Sequence, residues 1–230
     1  MKEKFRLYYV DLKYIRDLHN VDDNVMSVSP QTGKEDRPFL GIVTIIESKK
    51  YCVPLTSGDK IKFKHKKNSI DFIKIPDENM KDEFGAYITI GGINLNNMIP
   101  VNDTVIQPVD IAIHSSDNKK QRNNKKRLTK ELDWCQRNQD LITRKARKLY
   151  DLRLNHSMEN INLTRRCCDF KKLEAVLEKK LLSHQEQHEQ PSKPSSFTFS
   201  SKQRKQVQSA VQQKESDKPH TQDKKRKPSL

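Results

Sequence analysis

Along the first 182 residues of this chain, short apolar runs alternate with stretches of helical periodicity, and after them both signals stop. FRLYYVDLKYIRDL, near the amino terminus, reads as a strand that passes into a helix, with Leu12, Ile15 and Leu18 or His19 on the inward side. Phe39 to Ile46 is an apolar run rich in β-branched residues, and Lys49 to Leu55 is its partner across a turn at Glu47-Ser48. Further strands are predicted at Ile70 to Ile75 and at Ala86 to Leu95, the latter interrupted by a turn or bulge at Gly91-Gly92. Several short strands separated by strong turns predict a compact antiparallel barrel and not a parallel, doubly wound sheet.

The period then changes. Leu128, Leu132, Cys135, Ile142, Ala146 and Leu149 fall on one face of a predicted long helix. A second helix is predicted from Cys167 to Leu182, with Phe170, Leu173, Val176, Leu177 and Leu181 as its apolar stripe. From Ser183 to Leu230 the chain is Gln-, Ser- and Lys-rich and has too few large apolar residues to offset its ordering entropy. The pattern therefore predicts one α+β domain over residues 1–182 and a disordered basic tail over 183–230. Residues Val21 to Asp36, rich in Asp, Asn and Ser, read as a loop over a binding site.

Charge narrows the partner class. Forty-five Lys and Arg against thirty Asp and Glu give a formal charge of +15, which attracts polyanions. Lys119, Lys120, Arg122, Lys125, Lys126, Arg127 and Lys130 follow one another with no acidic residue between them, a candidate nucleic-acid path. The four cysteines lack zinc-finger spacing and read as reduced structural thiols. There is no apolar signal segment at the amino terminus and no run of the roughly 20 apolar residues that span a bilayer, so a cytoplasmic protein is expected.

No metal, cofactor or hydrolase motif stands out, and His65 and His114 are expected to be exposed and non-catalytic. A route without metal remains, in which the ribose 2′-hydroxyl attacks its own phosphodiester while the protein aligns groups and stabilises charge. Pro54-Leu55-Thr56-Ser57-Gly58-Asp59-Lys60 offers hydroxyls, turn amides and a cation for that task, although such a string by itself also describes a polar turn. Arg37 stands just before the first long strand, and its forked guanidinium suits a phosphate. The block Ile93 to Val101, INLNNMIPV, reads as a strand end and turn in which Asn96 and Asn97 satisfy backbone groups.

PLTS, LNNMIPV, the basic residue before Pro38-Phe39 and the KYI of Lys13 to Ile15, in this order, resemble the ToxN/AbiQ family, the protein toxins of type III toxin–antitoxin and phage-abortive systems. The resemblance spans about Phe5 to Leu182. It implies an SH3-like antiparallel barrel decorated with long helices. The implied activity is that of a metal-independent endoribonuclease, without cofactor, that cuts single-stranded RNA to leave 2′,3′-cyclic phosphate ends. It further implies restraint by a structured repeat RNA antitoxin in a closed protein–RNA assembly. Carried over by position, Thr56 and Ser57 match the active-site hydroxyls and Arg37 the basic residue, while Tyr14 matches an aromatic residue that contacts a nucleotide. The family commonly reads PLTSPK where this chain has PLTSGDK, so Lys60 takes the lysine role if the turn is one residue longer, with Lys62 in reserve. The expected catalytic set is Arg37, Thr56, Ser57 and Lys60. Tyr14, Lys62, Lys119, Lys120, Arg122, Lys125, Lys126 and Arg127 are expected to bind RNA. The rival readings are a non-catalytic SH3-like RNA-binding module and a DNA-binding mobilisation or regulatory protein.

Overall fold

In the computed structural model, which describes residues 4–26, 38–44, 49–58, 66–155 and 161–188, the first apolar run forms strand β1 (Arg6–Val10). Helix α1 (Leu12–His19) follows at once because Asp11 caps it, its carboxylate accepting the Tyr14 N–H at 2.9 Å. Strands β2 (Phe39–Thr44), β3 (Lys50–Ser57), β4 (Phe72–Lys81) and β5 (Tyr87–Asn94) come next, then a 3-10 turn (Leu95–Asn97) and the short strands β6 (Ile99–Val101) and β7 (Ile106–Pro108). Helices α2 (Lys119–Arg137), α3 (Gln139–Leu154), α4 (Ile161–Arg166) and α5 (Phe170–His188) complete the order.

Strand neighbours are antiparallel throughout, in the order β4-β5-β3-β2-β1-β7, with β6 also on β3. The expected barrel does not close among the described residues, because β4 and β7 stand at opposite ends of that order and do not pair. Helix α2 instead braces the β4 end: Lys130 and Arg137 reach Asp77 and Glu78 at 2.7 and 2.6 Å. The fold is a mixed α+β arrangement around an open antiparallel sheet.

Strand β3 joins the two halves of the sheet. One edge pairs with β2 from Lys50 to Pro54; the other pairs with β6 at Lys50 to Cys52 and with β5 at Leu55 to Ser57. The change of partner falls at Pro54, which has no N–H to give a ladder. Opposite it the chain leaves the ladder as the 3-10 turn, and the Asn94 amide reaches the Pro54 carbonyl at 3.5 Å. The turn's remaining amides tie distant segments together. Asn96 Nδ2 donates to the Arg166 carbonyl at 3.0 Å and Asn97 Nδ2 to that of Asn24 at 2.6 Å, while the Asn96 carbonyl accepts from Cys168 N at 2.9 Å.

Several expected boundaries change. Strand β4 runs on to Lys81, and Gly91-Gly92 lie inside β5, where the chain does not turn but the register against β4 shifts between Ile75–Gly91 and Pro76–Thr89, the bulge alternative of the expectation. The single long helix is two, broken at Asn138, whose φ of −106° and ψ of 21° leave the helical region; the spacing of seven between Cys135 and Ile142 spans that break. Helix α5 continues past Ser183 to His188, and the rest of the predicted disordered tail lies outside the described residues. The turn at Glu47-Ser48 and residues 27–36 of the predicted loop also lie outside them. All four cysteines are free and buried, and burial raises their thiol pKa values. Among the described residues no helix is long and apolar enough to cross a membrane.

Helices α3 and α5 dock on β3 through a buried carboxylate. Glu174 Oε1 accepts the hydroxyls of Tyr51 and Tyr150, each at 2.7 Å, and its Oε2 lies 2.6 Å from Lys49 Nζ. Around it Tyr150 stacks on Phe170 at 5.5 Å, and Tyr51 meets both rings edge-on. Burial pushes the Glu174 carboxyl up, but the Lys49, Tyr51 and Tyr150 hydrogen bonds outweigh it and hold the pKa below the ordinary 4.5.

Glu174→Ala is expected to cost roughly 2–4 kcal/mol in denaturant unfolding, since it strands two tyrosine hydroxyls and a lysine. A depressed carboxylate pKa gives stability that is present above pH 4.5 and lost as pH falls through the folded value. Glu174→Gln should therefore flatten the acid limb of the stability–pH curve.

Candidate active site

The end of β3 is held where it is by its cross-strand partners. Thr56 pairs with Gly92 and Ser57 with Gly91, and directly opposed residues project to the same face with Cβ atoms about 5 Å apart. Consecutive residues project to opposite faces, so the two hydroxyl residues have different surroundings. A Cβ on Gly92 would stand 2.6 Å from the Phe72 ring and 3.2 Å from Thr56 Cγ2, so Thr56 is packed and buried beneath Phe72. A Cβ on Gly91 would stand 2.5 Å from Glu131 Oε1. The half-buried Ser57 thus shares its face with Glu131. The paired glycines make room for these neighbours, which is why they sit in mid-strand.

Glu131 is 0% exposed and projects from α2. Its Oε1 accepts from Arg127 NH1 at 2.5 Å, one helical turn earlier, and its Oε2 has no hydrogen-bond partner among the described residues. Burial pushes the Glu131 carboxyl up and Arg127 only partly opposes it, for a pKa of about 7. Arg127 also reaches the Asn124 side chain at 2.7 Å and keeps 31% of its own side chain exposed. The face of the sheet that carries Ser57 therefore also meets a buried carboxylate that holds a part-exposed guanidinium. This is a place where a phosphate can be gripped. On the Thr56 side Lys66 Nζ lies 3.8 Å over the Phe72 ring, a second cation near the same strand end.

Of the residues expected to act on RNA, Ser57 and Arg127 are brought to one face. Arg37, Lys60, Lys62 and His65 lie outside the described residues. Pro38, next after Arg37, accepts the Leu55 N–H at 3.2 Å, so that segment enters alongside the strand end. The Gly58 amide, expected to be free for a phosphate, instead donates to the Ile90 carbonyl at 2.9 Å. Tyr14 is fully buried and donates its hydroxyl to the Pro100 carbonyl at 2.7 Å, and burial raises its pKa, so it packs and offers no nucleotide surface. Lys125 is buried too, its Nζ at 2.7 Å from the Ala112 carbonyl and 2.9 Å from Asp117, which ties α2 to the segment before it. Lys119, Lys120 and Lys126 are exposed on α2. Arg122 is exposed but turns its guanidinium onto the carbonyls of Asp117 and Ser115. His114, expected to be exposed, is half-buried against Asp110 at 2.6 Å.

The sequence reading did not find Glu131 or Lys66. The signal for Glu131 was its place three residues after Leu128 and four before Cys135, a carboxylate on the buried stripe.

Gly91→Ala is expected to lower unfolding free energy by roughly 1–3 kcal/mol, because the new methyl group is driven against Glu131. In a double-mutant cycle Glu131→Ala should recover at least about 0.5 kcal/mol of that loss; strictly additive losses would mean that the two positions do not meet. The raised pKa sets a further sign. Stability from protonated Glu131 is present below the ordinary 4.5 and lost as pH rises through about 7, so Glu131→Gln should flatten stability across that window.

The chain has counterparts among known proteins. A family model described as toxin ToxN of the type III toxin–antitoxin system matches residues 6–178. The endoribonuclease ToxN of Pectobacterium atrosepticum is 29% identical over 169 residues, which cover 74% of this chain and 90% of the relative. That of Bacillus thuringiensis subsp. kurstaki is 28% identical over 176 residues, 75% of this chain and 82% of the relative. A solved structure from work on selective inhibition of a type III toxin by a non-coding RNA pseudoknot matches with a TM-score of 0.63 at 27% identity, over 78% of this chain and 99% of that one. With the family match running from β1 into α5, the chain belongs to the ToxN toxins of type III toxin–antitoxin systems.

Proposed function

We propose that this chain cuts single-stranded RNA at the Ser57 end of β3 by metal-independent attack of a ribose 2′-hydroxyl on the adjacent phosphodiester. The chain is an endoribonuclease toxin of the type III class, and an RNA antitoxin is its inhibitory partner. The observation that carries the mechanistic reading is the shared face of Ser57 and the Arg127–Glu131 pair.

In this reading the Ser57 hydroxyl and the Arg127 guanidinium hold the non-bridging oxygens of the scissile phosphate, where negative charge grows as the 2′-oxygen attacks. Glu131 fixes the guanidinium. The bond from phosphorus to the 5′-oxygen breaks, leaving a 2′,3′-cyclic phosphate on one product and a 5′-hydroxyl on the other. Arg37, next before Pro38 in the sequence, and Lys60, two residues after Gly58, would supply further positive charge, and Thr56 contributes by fixing the strand from the opposite face. Lys119, Lys120 and Lys126 extend the cationic path along α2. We read the open sheet as an SH3-like core, residues 1–182 as the toxin domain, and the cytoplasm as its place of action. Processed antitoxin repeats would occupy the cationic face in a closed protein–RNA assembly.

The test is incubation of wild type, Ser57→Ala and Arg127→Ala with a long single-stranded RNA in excess EDTA, followed by mapping of product ends. Discrete cuts with 2′,3′-cyclic phosphate ends are expected, slowed about 10²–10³-fold in Ser57→Ala. RNA that stays intact while tightly bound would overturn the reading in favour of a non-catalytic binding module.

A further inference from the structure

Beyond its pairing with the β3 end, the β4–β5 hairpin continues into solvent. Residues 78–88 are all exposed, and the turn is closed by Asp82, which accepts from the amides of Phe84 and Ala86 at 3.0 and 2.9 Å, with Gly85 at a φ of 79°. Four of the eight large hydrophobic side chains exposed among the described residues lie on this one arm: Met80, Phe84, Tyr87 and Ile88. Phe84 at the tip is 86% exposed. Tyr87 and Ile88, consecutive on β5, project to opposite faces, so both sides of this short arm show apolar groups to water, which marks a binding surface.

The occupant follows from position and charge. Strand β5 carries the arm directly into Gly91, the partner of Ser57, and Tyr87 stands four residues from Gly91, at most roughly 13 Å along the strand. The arm thus borders the cleavage site as its outer wall. Its acidic residues are mostly offset by cations. Asp77 and Glu78 are paired with Lys130 and Arg137, and Asp82 and Glu83 at the tip face Lys81, so four carboxylates meet three cations and a single negative charge is left on the arm. Lys81 Nζ stands 5.1 Å over the Tyr87 ring, pairing a cation with an exposed aromatic face. Aromatic faces beside cations are what unstacked nucleobases of single-stranded RNA occupy.

We propose that this hairpin arm is a base-stacking subsite, in which Phe84 and Tyr87 hold nucleobases a few nucleotides away from the scissile phosphate and so help to choose where the RNA is cut. The proposal rests on the cleavage site being at Ser57. Every residue it uses is exposed, so its removal leaves the core untouched.

Binding of unstructured RNA with 2′-O-methyl riboses, which cannot undergo the internal attack, tests it on the full chain with a long (about 12-nucleotide) and a short (about 4-nucleotide) probe. The double variant Phe84→Ala/Tyr87→Ala should bind the long probe roughly 5- to 100-fold more weakly, with the short probe changed less than about twofold. Tyr87→Phe, which keeps the ring, should bind like wild type. Cut-site mapping on cleavable RNA should show altered base preference a few nucleotides from the cut in the double variant. Unchanged affinity for the long probe would overturn the proposal, and a loss of self-association in the same variant would then assign the arm to a protein partner. The two readings fail separately: arm-dependent binding without cutting by wild type removes the cleavage reading alone, and normal cutting with arm-independent binding removes the arm alone.

Discussion

Strand β3 must serve three neighbours with two edges, and it does so by changing partners at a residue that cannot donate a hydrogen bond. Pro54 leaves no amide for β5 or β6 to accept from, so the chain opposite it can leave the ladder at little cost. The excursion is the Leu95–Asn97 turn, and its asparagines bind the loop at Asn24 and the α4–α5 junction at Arg166 and Cys168. One missing N–H thus lets a single strand be continuous while its partner jogs aside. The jog ends at Leu55, and the three residues after Pro54 form the wall on which Ser57 stands.

The electrostatic design of the site follows from that wall. Two adjacent glycines on β5 remove side chains from both faces of the sheet, admitting Phe72 against Thr56 on one and the Glu131 carboxylate beneath Ser57 on the other. A carboxylate taken fully out of water is costly, and its pKa near 7 reflects that cost. The Arg127 guanidinium is its described partner; it also reaches the Asn124 side chain and keeps about a third of its own side chain exposed. Preorganised charge of this kind needs no rearrangement when a transition state forms.

Much of this was legible in the residues, and the reasons are specific. Strand β1 and the β2–β3 pairing announced themselves as short apolar runs, since β1 and β3 are buried on both faces, and helix α1 and the α5 stripe through their apolar period. PLTS and LNNMIPV identified the family and the turn at Leu95–Asn97. Closure of a barrel was not legible, since pairing between terminal strands depends on what covers the edges, and here α2 covers β4 by ion pairs. Gly91-Gly92 read as a turn or a bulge; a register shift does fall beside Gly91, but the further reason for glycine lay across the sheet in Phe72 and Glu131. Tyr14 and Lys125 looked like surface ligands because residue type does not report burial. Asn138 broke a helix whose apolar period is nearly continuous across the break.

The central claim is that the RNA supplies its own nucleophile at a phosphate held by Ser57 and Arg127. The most direct measurement is single-turnover cleavage of a single-stranded RNA carrying one 2′-deoxy nucleotide immediately 5′ of a mapped scissile phosphate, with binding followed in parallel. The account predicts that this cut disappears while affinity is unchanged. Persistence of the cut at a wild-type rate would show that the nucleophile comes from elsewhere and would contradict it.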